Sequence, residues 1–387
     1  MVNQVFEQFV ENNLKADTKQ LALKAKNIDG LDISRAITQI GLLQKSIKKI
    51  PVFFEKRCLL SQKSYEQASS ERVAIFKSSL VSGKNLLDLT GGLGVDDYFF
   101  SKYFEKITSL DPDVELNEIV RYNFAKLGVD SIKRIDTKAE DYIAKCKESF
   151  SIIYADPDRR DSNKQRKIHV RDWQPDISAM LPQIFEHTNT FTLKLSPLFD
   201  LDELFKLFPN VSHLYVISEG GEVKELFCIM QKQHTAKAIT YAVEINANDV
   251  LLCNSDNESH SSNTIASETE MYLYEAGNAL VKSKLWRPYA EKLELDLMES
   301  NTPLLLSNKL IQPFMGRVFK VAEQVPYKNK DIAAYIKVHK LQQANVTRHN
   351  FNENVAELRK RWKLKEGGND YLFFANSKMY HCVKVRD

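Results

Sequence analysis

The stretch Asn85-Leu86-Leu87-Asp88-Leu89-Thr90-Gly91-Gly92-Leu93-Gly94-Val95-Asp96 decides how the rest of the chain is read. An apolar run closes on an acid, a glycine-rich turn follows, and Tyr98, Phe99, Phe100, Tyr103 and Phe104 begin a helical pattern directly after it. Glycines let the backbone approach a ligand closely and adopt dihedral angles that other residues avoid. The start of the next helix offers N–H groups without intrahelical partners. Strand, glycine turn and helix in this order place a nucleotide-like cofactor at the carboxyl end of the strand. The plainer alternative is the same local structure with no ligand.

Two cofactor classes fail on spacing. The dinucleotide fingerprint needs a third glycine three residues after Gly94, and Asp97 stands at that place when the pair is Gly92 and Gly94. A phosphate loop needs Gly-Lys-Ser/Thr, which is absent. What remains is Asp88, an acid before the glycines, which suits a cation better than a pyrophosphate. A methionine-derived sulfonium with its free amino group fits that requirement.

The following segments repeat the motif of an acid at a strand end. Lys106-Ile107-Thr108-Ser109-Leu110-Asp111 reads as a second strand, and its acid falls about 20 residues after the glycine turn, where it can hold ribose hydroxyls. A helix over residues 114–127 and a third short strand precede Glu140 and Asp141, which are placed to meet an adenine amino group. Each acid taken alone is also what a helix cap looks like. The fourth strand, Phe150-Ser151-Ile152-Ile153-Tyr154-Ala155, stops at Asp156-Pro157-Asp158-Arg159-Arg160. Proline fixes its own φ and restricts the residue before it, so the Asp156 carboxylate is held in a defined loop. There it can orient a nucleophile for in-line attack, since methyl transfer asks mostly for positioning.

On these residues the chain from Asn85 to Met230 resembles the class I S-adenosylmethionine-dependent methyltransferases. The resemblance implies a Rossmann-like α/β sheet with one antiparallel strand and S-adenosylmethionine as cofactor. It implies cofactor contacts from Asp88, Thr90, Gly91, Gly92, Gly94, Asp111, Glu140, Asp141 and Asp156, and catalysis around Asp156, Pro157, Arg159 and Arg160. Amino-methylating members carry Asp/Asn-Pro-Pro-aromatic at this place; here Asp158 and Arg159 stand for the second proline and the aromatic. The Asp-Pro-x-Arg-Arg variant, with Trp173-Gln174-Pro175 and Lys194-Leu195-Ser196-Pro197 downstream, is similar to the bacterial methyltransferases with a THUMP-like C-terminal domain, among them those with a small ferredoxin-like module.

Whole-chain properties agree. At 387 residues two to four domains are expected. A 43% hydrophobic and 27% charged composition is that of a soluble globular protein, and no apolar run approaches a membrane span. The start has no basic-then-apolar signal pattern. Cys58, Cys146, Cys228, Cys253 and Cys382 are scattered, which fits thiols in a reducing cytoplasm, and no His/Cys/Asp spacing suggests a metal. A net charge of +3 is too small to argue for nucleic acid by itself.

Along the chain, residues 1–75 carry helical periodicity through Val5, Phe6, Phe9, Val10, Ile33, Ile37, Ile40, Leu42 and Leu43. The cofactor domain is expected over 76–253, closing with a hairpin from residues 213–218 and 226–230 around Gly220-Gly221. The polar run from Asn254 to Glu268 reads as a linker. A ferredoxin-like α+β module over 269–325 and the THUMP-like domain over 326–387 complete the organisation.

That last segment is the expected substrate platform. Arg348, Arg359, Lys360, Arg361, Lys363 and Lys365 alternate with Phe351, Trp362 and Tyr371, a mixture that can neutralise phosphates and stack on unpaired bases. A second basic run, Arg159, Arg160, Lys164, Arg166, Lys167 and Arg171, follows the fourth strand, where Arg159 or Arg160 can grip a phosphate and Trp173 can offer an aromatic face or pack in the core. The sequence therefore leads to a methyltransferase acting on RNA, at a base nitrogen. A small-molecule or protein methyltransferase on the same fold, and a non-catalytic RNA-binding protein with a vestigial cofactor fold, are the alternatives. Oligomeric state is not legible.

Overall fold

The computed structural model describes residues 3–24, 28–159, 173–256 and 271–385. The chain divides into two compact units, Met1–Leu214 with Glu225–Ala238, and Tyr215–Lys224 with Ile239–Asp387.

The first unit opens with helices α1 (Gln4–Asn12), α2 (Thr18–Lys24), α3 (Ile33–Lys49), α4 (Pro51–Glu55), α5 (Gln62–Gln67) and α6 (Glu71–Ser78). Their starts follow from side-chain caps: Asn3, Asp32, Ser61 and Ser70 each accept a hydrogen bond from a backbone N–H in the first turn. Helix α3 buries Ala36, Ile40, Leu42 and Leu43. These pack in one cluster with Phe6, Val10, Phe53, Val95, Phe99, Val120 and Phe124. The helical region and the cofactor-loop side of the sheet thus share a core.

The sheet is built from β1 (Gly83–Asp88), β2 (Phe104–Asp111), β3 (Ile132–Asp136) and β4 (Ile152–Ala155), joined by α7 (Val95–Phe100), α8 (Val114–Leu127) and α9 (Ala139–Ile143). Strand β1 pairs in parallel with β2 on one side and β4 on the other, and β2 pairs in parallel with β3. The order β4-β1-β2-β3 puts a topological switch between β1 and β4, and the crevice outside the carboxyl ends there is where α/β sheets bind ligands. The short strands β5 (Asp158–Arg159) and β6 (Trp173–Gln174) pair antiparallel beyond β4. After α10 (Ile177–His187), β7 (Thr190–Leu195) lies parallel to β4. Helix α11 (Leu201–Leu207) leads to a hairpin of β8 (Val211–Glu219) and β9 (Glu222–Gln231), of which β9 runs antiparallel to β7. The antiparallel strand and the terminal hairpin are where the sequence puts them.

In the second unit β10 (Ile239–Ile245) and β11 (Val250–Asn254) form an antiparallel pair. Most of the expected linker, residues 257–268, lies outside the described residues. A seven-stranded sheet follows, from β12 (Tyr272–Ala276), β13 (Asp296–Leu297), β14 (Leu304–Ser307), β15 (Gly316–Pro326), β16 (Asn345–Arg348), β17 (Asp370–Ala375) and β18 (Lys378–Lys384), in the order β13-β14-β12-β15-β18-β17-β16. Helices α12 (Asn278–Lys282), α13 (Trp286–Lys292), α14 (Asn329–Val338) and α15 (Val355–Trp362) connect the strands. The boundary expected at 325/326 meets a continuous strand. It falls inside β15, which pairs with β12 along one edge and β18 along the other, so one sheet carries both expected modules. Among the described residues no helix is long and apolar enough to cross a membrane.

Candidate functional site

The glycine turn is shaped by backbone bonds that only small residues permit. Leu89 N–H donates to the Tyr154 carbonyl at 2.9 Å, tying β1 to β4, and Gly91 N–H donates to the Leu110 carbonyl at 2.8 Å, tying it to β2. Gly94 has φ +77°, and a Cβ there would lie 2.7 Å from the Phe124 ring. A Cβ on Gly91 would lie 1.8 Å from Arg134 Nη1. The turn is glycine-rich because protein atoms already fill the space beside these two positions.

Arg134, on β3, is the side chain that crowds Gly91, and the sequence reading gave it no role. Its guanidinium has no exposed surface. It donates to the Gly92 carbonyl (2.7 Å), Ser109 Oγ (2.8 Å), Asn117 Oδ1 (2.6 Å) and Asp97 Oδ2 (3.4 Å). It also stands 3.5 Å from Asp111 Oδ2. Asp111 in turn accepts from the Gly92 N–H at 3.1 Å and the Asp113 N–H at 2.9 Å, and its side chain keeps 15% exposure. The acid at the end of β2 therefore abuts the glycine turn with an edge open to a ligand.

Asp88 faces inward. It is 1% exposed, and its Oδ1 accepts from Thr90 N–H (2.8 Å) and Thr90 Oγ1 (3.2 Å). Burial first and the neighbouring Asp97 second push its carboxyl well above the usual aspartate range. Thr90 Oγ1 also accepts from the Asp156 N–H at 2.6 Å, which links the β1 acid to the β4 acid through one hydroxyl. Glu140 and Asp141 lie exposed in the first turn of α9. Asp111 and Asp156 thus stand at the carboxyl ends of the two strands that flank β1, Asp88 sits behind the turn, and Glu140 and Asp141 lie beyond β3.

Around Asp156 the structure assembles a charged network that the sequence reading missed. Asp156 Oδ2 lies 2.5 Å from Nζ of Lys194 on β7, and the same Nζ is 3.9 Å from Glu225 Oε2 on β9. Glu225 Oε1 is 3.1 Å from Nζ of Lys77 on α6, a lysine with no exposed side-chain surface. Lys77 also contacts Asp96 Oδ2 (2.7 Å), Ser69 Oγ (2.9 Å) and the Tyr154 hydroxyl (3.4 Å), while Tyr154 donates to Asp96 at 2.7 Å. Lysines are almost never fully buried unless paired. Burial alone would depress the Lys194 ammonium, but Asp156, Glu225 and Asp96 outweigh it and hold the proton on. Burial would also raise Asp96, and Lys77 and Lys194 hold it low instead. The Asp156 carboxyl is raised by burial against the pull of Lys194. One signal was visible in advance: Lys194 and Glu225 are charges set within or beside apolar strand runs.

The remaining expected site residues are placed as follows. Pro157 is half-buried at the end of β4, and Arg159 belongs to β5, whereas Arg160 and the basic run through Arg171 lie outside the described residues. Trp173 is 3% exposed, stacked on Phe208 and tilted against Phe199, so it packs in the core and offers no face to a base. In the second unit Arg359 pairs with Glu366 at 3.0 Å and Arg361 with Glu353 at 2.7 Å; Arg348 is exposed and bonds the Phe351 carbonyl. Trp362 is buried, Phe351 packs on Tyr327 and Phe374, and Tyr371 packs on Phe319. Trp362 thus belongs to the core and Phe351 and Tyr371 are half-buried beside it, while Lys360, Arg361, Lys363 and Lys365 take the solvent side. Among the described residues no group of three or more His, Cys, Asp or Glu side chains is placed to hold a metal ion.

Parallel strands with acids at successive carboxyl ends, a glycine turn after β1 and an antiparallel strand beside β7 define the α/β methyltransferase fold. Over 99% of this chain, and 98% of the other, the fold matches the crystal structure of a methyltransferase candidate from Porphyromonas gingivalis W83, with a TM-score of 0.85 at 24% identity. The THUMP domain-like family matches residues 316–384, from the start of β15 to the end of β18. The chain is 25% identical over 167 residues to an uncharacterized S-adenosylmethionine-dependent methyltransferase of Mycobacterium tuberculosis, in the CDC 1551 and H37Rv strains alike. That match takes in 43% of this chain and spans less than half, 44%, of the relatives' length. S-adenosylmethionine, the cofactor the sequence points to, is the one in those relatives' names.

Proposed function

We propose that this protein is an S-adenosylmethionine-dependent methyltransferase acting on RNA. The observation that carries the reading is the meeting of Asp111, the Gly91–Gly94 turn and Asp156 at neighbouring strand ends around the switch point, joined by Gly92 N–H to Asp111 and by Asp156 N–H to Thr90. In this reading Asp111 receives the ribose hydroxyls and the turn admits the methionine portion. Asp88 shapes the turn from behind through Thr90, and Glu140 or Asp141 lies on the adenine side. The cofactor supplies an electrophilic methyl carbon; the chain's task is to hold an acceptor in line with it beside Asp156.

The RNA part rests on the THUMP domain-like match and on exposed cations in the same stretch, Lys360, Arg361, Lys363 and Lys365. A small-molecule or protein acceptor is the second reading, favoured by the pairing of Arg359 and Arg361 with glutamates, which leaves less free positive charge. The test is calorimetric titration with S-adenosylmethionine, beside Asp111→Ala, followed by incubation of labelled cofactor with separated RNA, protein and small-molecule fractions. Binding lost in the variant and label in the RNA fraction are expected. Absence of binding to folded protein overturns the enzyme reading, and label confined to protein or small molecules overturns the RNA reading.

A further inference from the structure

We propose that the methyl acceptor is a hydroxyl oxygen, the ribose 2′-hydroxyl of RNA, held between Lys194 and Asp156; this rests on the RNA methyltransferase reading above. The sequence alone favoured a base nitrogen, oriented by a free Asp156 carboxylate. In the structure that carboxylate is not alone, because the Lys194 ammonium lies 2.5 Å from it, and both side chains keep some exposure, 12% for Lys194 and 34% for Asp156. Any acceptor that reaches Asp156 meets an N–H donor as well.

The number of lone pairs decides between oxygen and nitrogen. An ammonium has three N–H donors and no acceptor. Asp156 engages one of them and Glu225 lies toward another at 3.9 Å, which leaves a donor for the acceptor atom. A ring nitrogen or an amine has a single lone pair, and a hydrogen bond from Lys194 would occupy the pair that must attack. A hydroxyl has two lone pairs and one proton. It can accept from Lys194 with one pair, attack with the other, and give its proton to Asp156.

The second lysine explains why the arrangement persists. Lys77, Asp96, Glu225, Ser69 and Tyr154 form a linked set that reaches Lys194 through Glu225. Glu225 lies between the two ammonium groups, so Lys77 fixes the carboxylate that fixes Lys194. Lys77 is thus a positioning residue and Lys194 a catalytic one. Two positions that could have stacked on a base do not serve: Arg159 stands in place of the motif's aromatic, and Trp173 is buried.

The step balances. A hydroxyl oxygen lone pair forms the new O–CH3 bond, the S–CH3 bond breaks with its electron pair returning to sulfur, and the sulfonium becomes a neutral thioether. The hydroxyl proton passes to Asp156 and then to solvent. Among the groups of RNA, the 2′-hydroxyl is the only hydroxyl available within the chain.

Alkaline hydrolysis provides the test, because a 2′-O-methyl group blocks cleavage of the adjacent phosphodiester. The full protein is incubated with methyl-labelled S-adenosylmethionine and total RNA from source cells that lack it, and the RNA is hydrolysed in alkali. Label in alkali-stable dinucleotides is the expected result. Lys194→Met should lower that label about 100-fold or more, within the range for a positioned proton-transfer or hydrogen-bonding group, with cofactor affinity unchanged by calorimetry. Lys194→Arg, which keeps a cation, should recover part of the rate and covers the case in which the methionine variant misfolds. Label in mononucleotides methylated on the base overturns the hydroxyl acceptor while leaving the RNA methyltransferase reading intact. A full rate in Lys194→Met overturns the role of the lysine, and RNA free of label despite cofactor binding overturns the RNA reading together with this one.

Discussion

Arg134 Nη2 donates to the Gly92 carbonyl at 2.7 Å, so a buried guanidinium from the third strand holds the turn that follows the first. The same group reaches Asp97, Ser109 and Asn117 and stands beside Asp111, which makes it the common support of the turn and of the acid at the end of β2. Removing one partner of a buried charge pair strands the other, at about 3–5 kcal/mol. Arg134→Ala is expected to lose stability on that scale, measured by chemical denaturation. Arg134→Lys is expected to fold better but to bind S-adenosylmethionine more weakly, because an ammonium cannot span these separated acceptors as a planar fork does. Cofactor affinity in Arg134→Lys equal to wild type would show that the support is dispensable.

The two crowded glycines lead to a different expectation from the open one. Gly94→Ala must adopt φ +77° and push its Cβ to within 2.7 Å of the Phe124 ring. The left-handed conformation alone costs roughly 1–2 kcal/mol, and the clash adds to it. Gly92 has φ +48°, and its Cβ would meet nothing closer than the Thr90 carbonyl at 3.7 Å. Gly92→Ala is therefore expected to melt closer to wild type than Gly94→Ala does in a calorimetric scan; the reverse order would contradict the packing described.

Much of this site was legible in the sequence where local pattern and chemistry coincide. The strand ends at Asp88, Asp111 and Asp156, helix α8 and the β8–β9 hairpin follow from apolar runs, turn residues and periodicity within a few neighbours. What could not be read is contact at long range. Lys77 and Glu225 are 148 positions apart, and nothing local to either says that they meet. Trp173 and Trp362 mislead for the opposite reason: an aromatic beside cations looks the same in sequence whether it faces a base or a core. The continuous sheet through β15 was likewise invisible, since an eleven-residue strand that gives one edge to β12 and the other to β18 reads locally as the end of one module.

The Asp88 carboxyl makes a pH dependence testable. Its folded-state pKa is raised, by burial first and by Asp97 second. A raised carboxyl binds its proton more tightly in the folded chain, so its stabilising contribution is complete below the ordinary aspartate value of about 3.9 and is lost as pH climbs from there through the folded value. Asp88→Asn keeps an acceptor for Thr90 and a donor toward Asp97 without a proton to lose. Its melting temperature relative to wild type is expected to rise as pH is raised from 5 to 8 (values chosen to lie above about 3.9). A difference that stays flat across that range would mean that Asp88 is ionised at its ordinary pKa.

The second unit supplies the last expectation, on how RNA would be held. With Trp362 buried and Phe351 and Tyr371 half-buried against neighbouring rings, affinity is expected to come mainly from charge. Binding by neutralisation of phosphates on a single strand weakens with salt at a slope of about 0.7 per contact. Lys360, Lys363 and Lys365 are exposed, whereas Arg359 and Arg361 are engaged by Glu366 and Glu353. Replacing the three lysines by alanine should flatten the log–log salt dependence of RNA affinity by about 2 if all three touch phosphate. Arg359→Ala should change the slope by less, since its charge is already balanced. An unchanged slope in the triple variant would move the RNA contact away from α15 and leave the segment between β5 and β6 as the place to look for it.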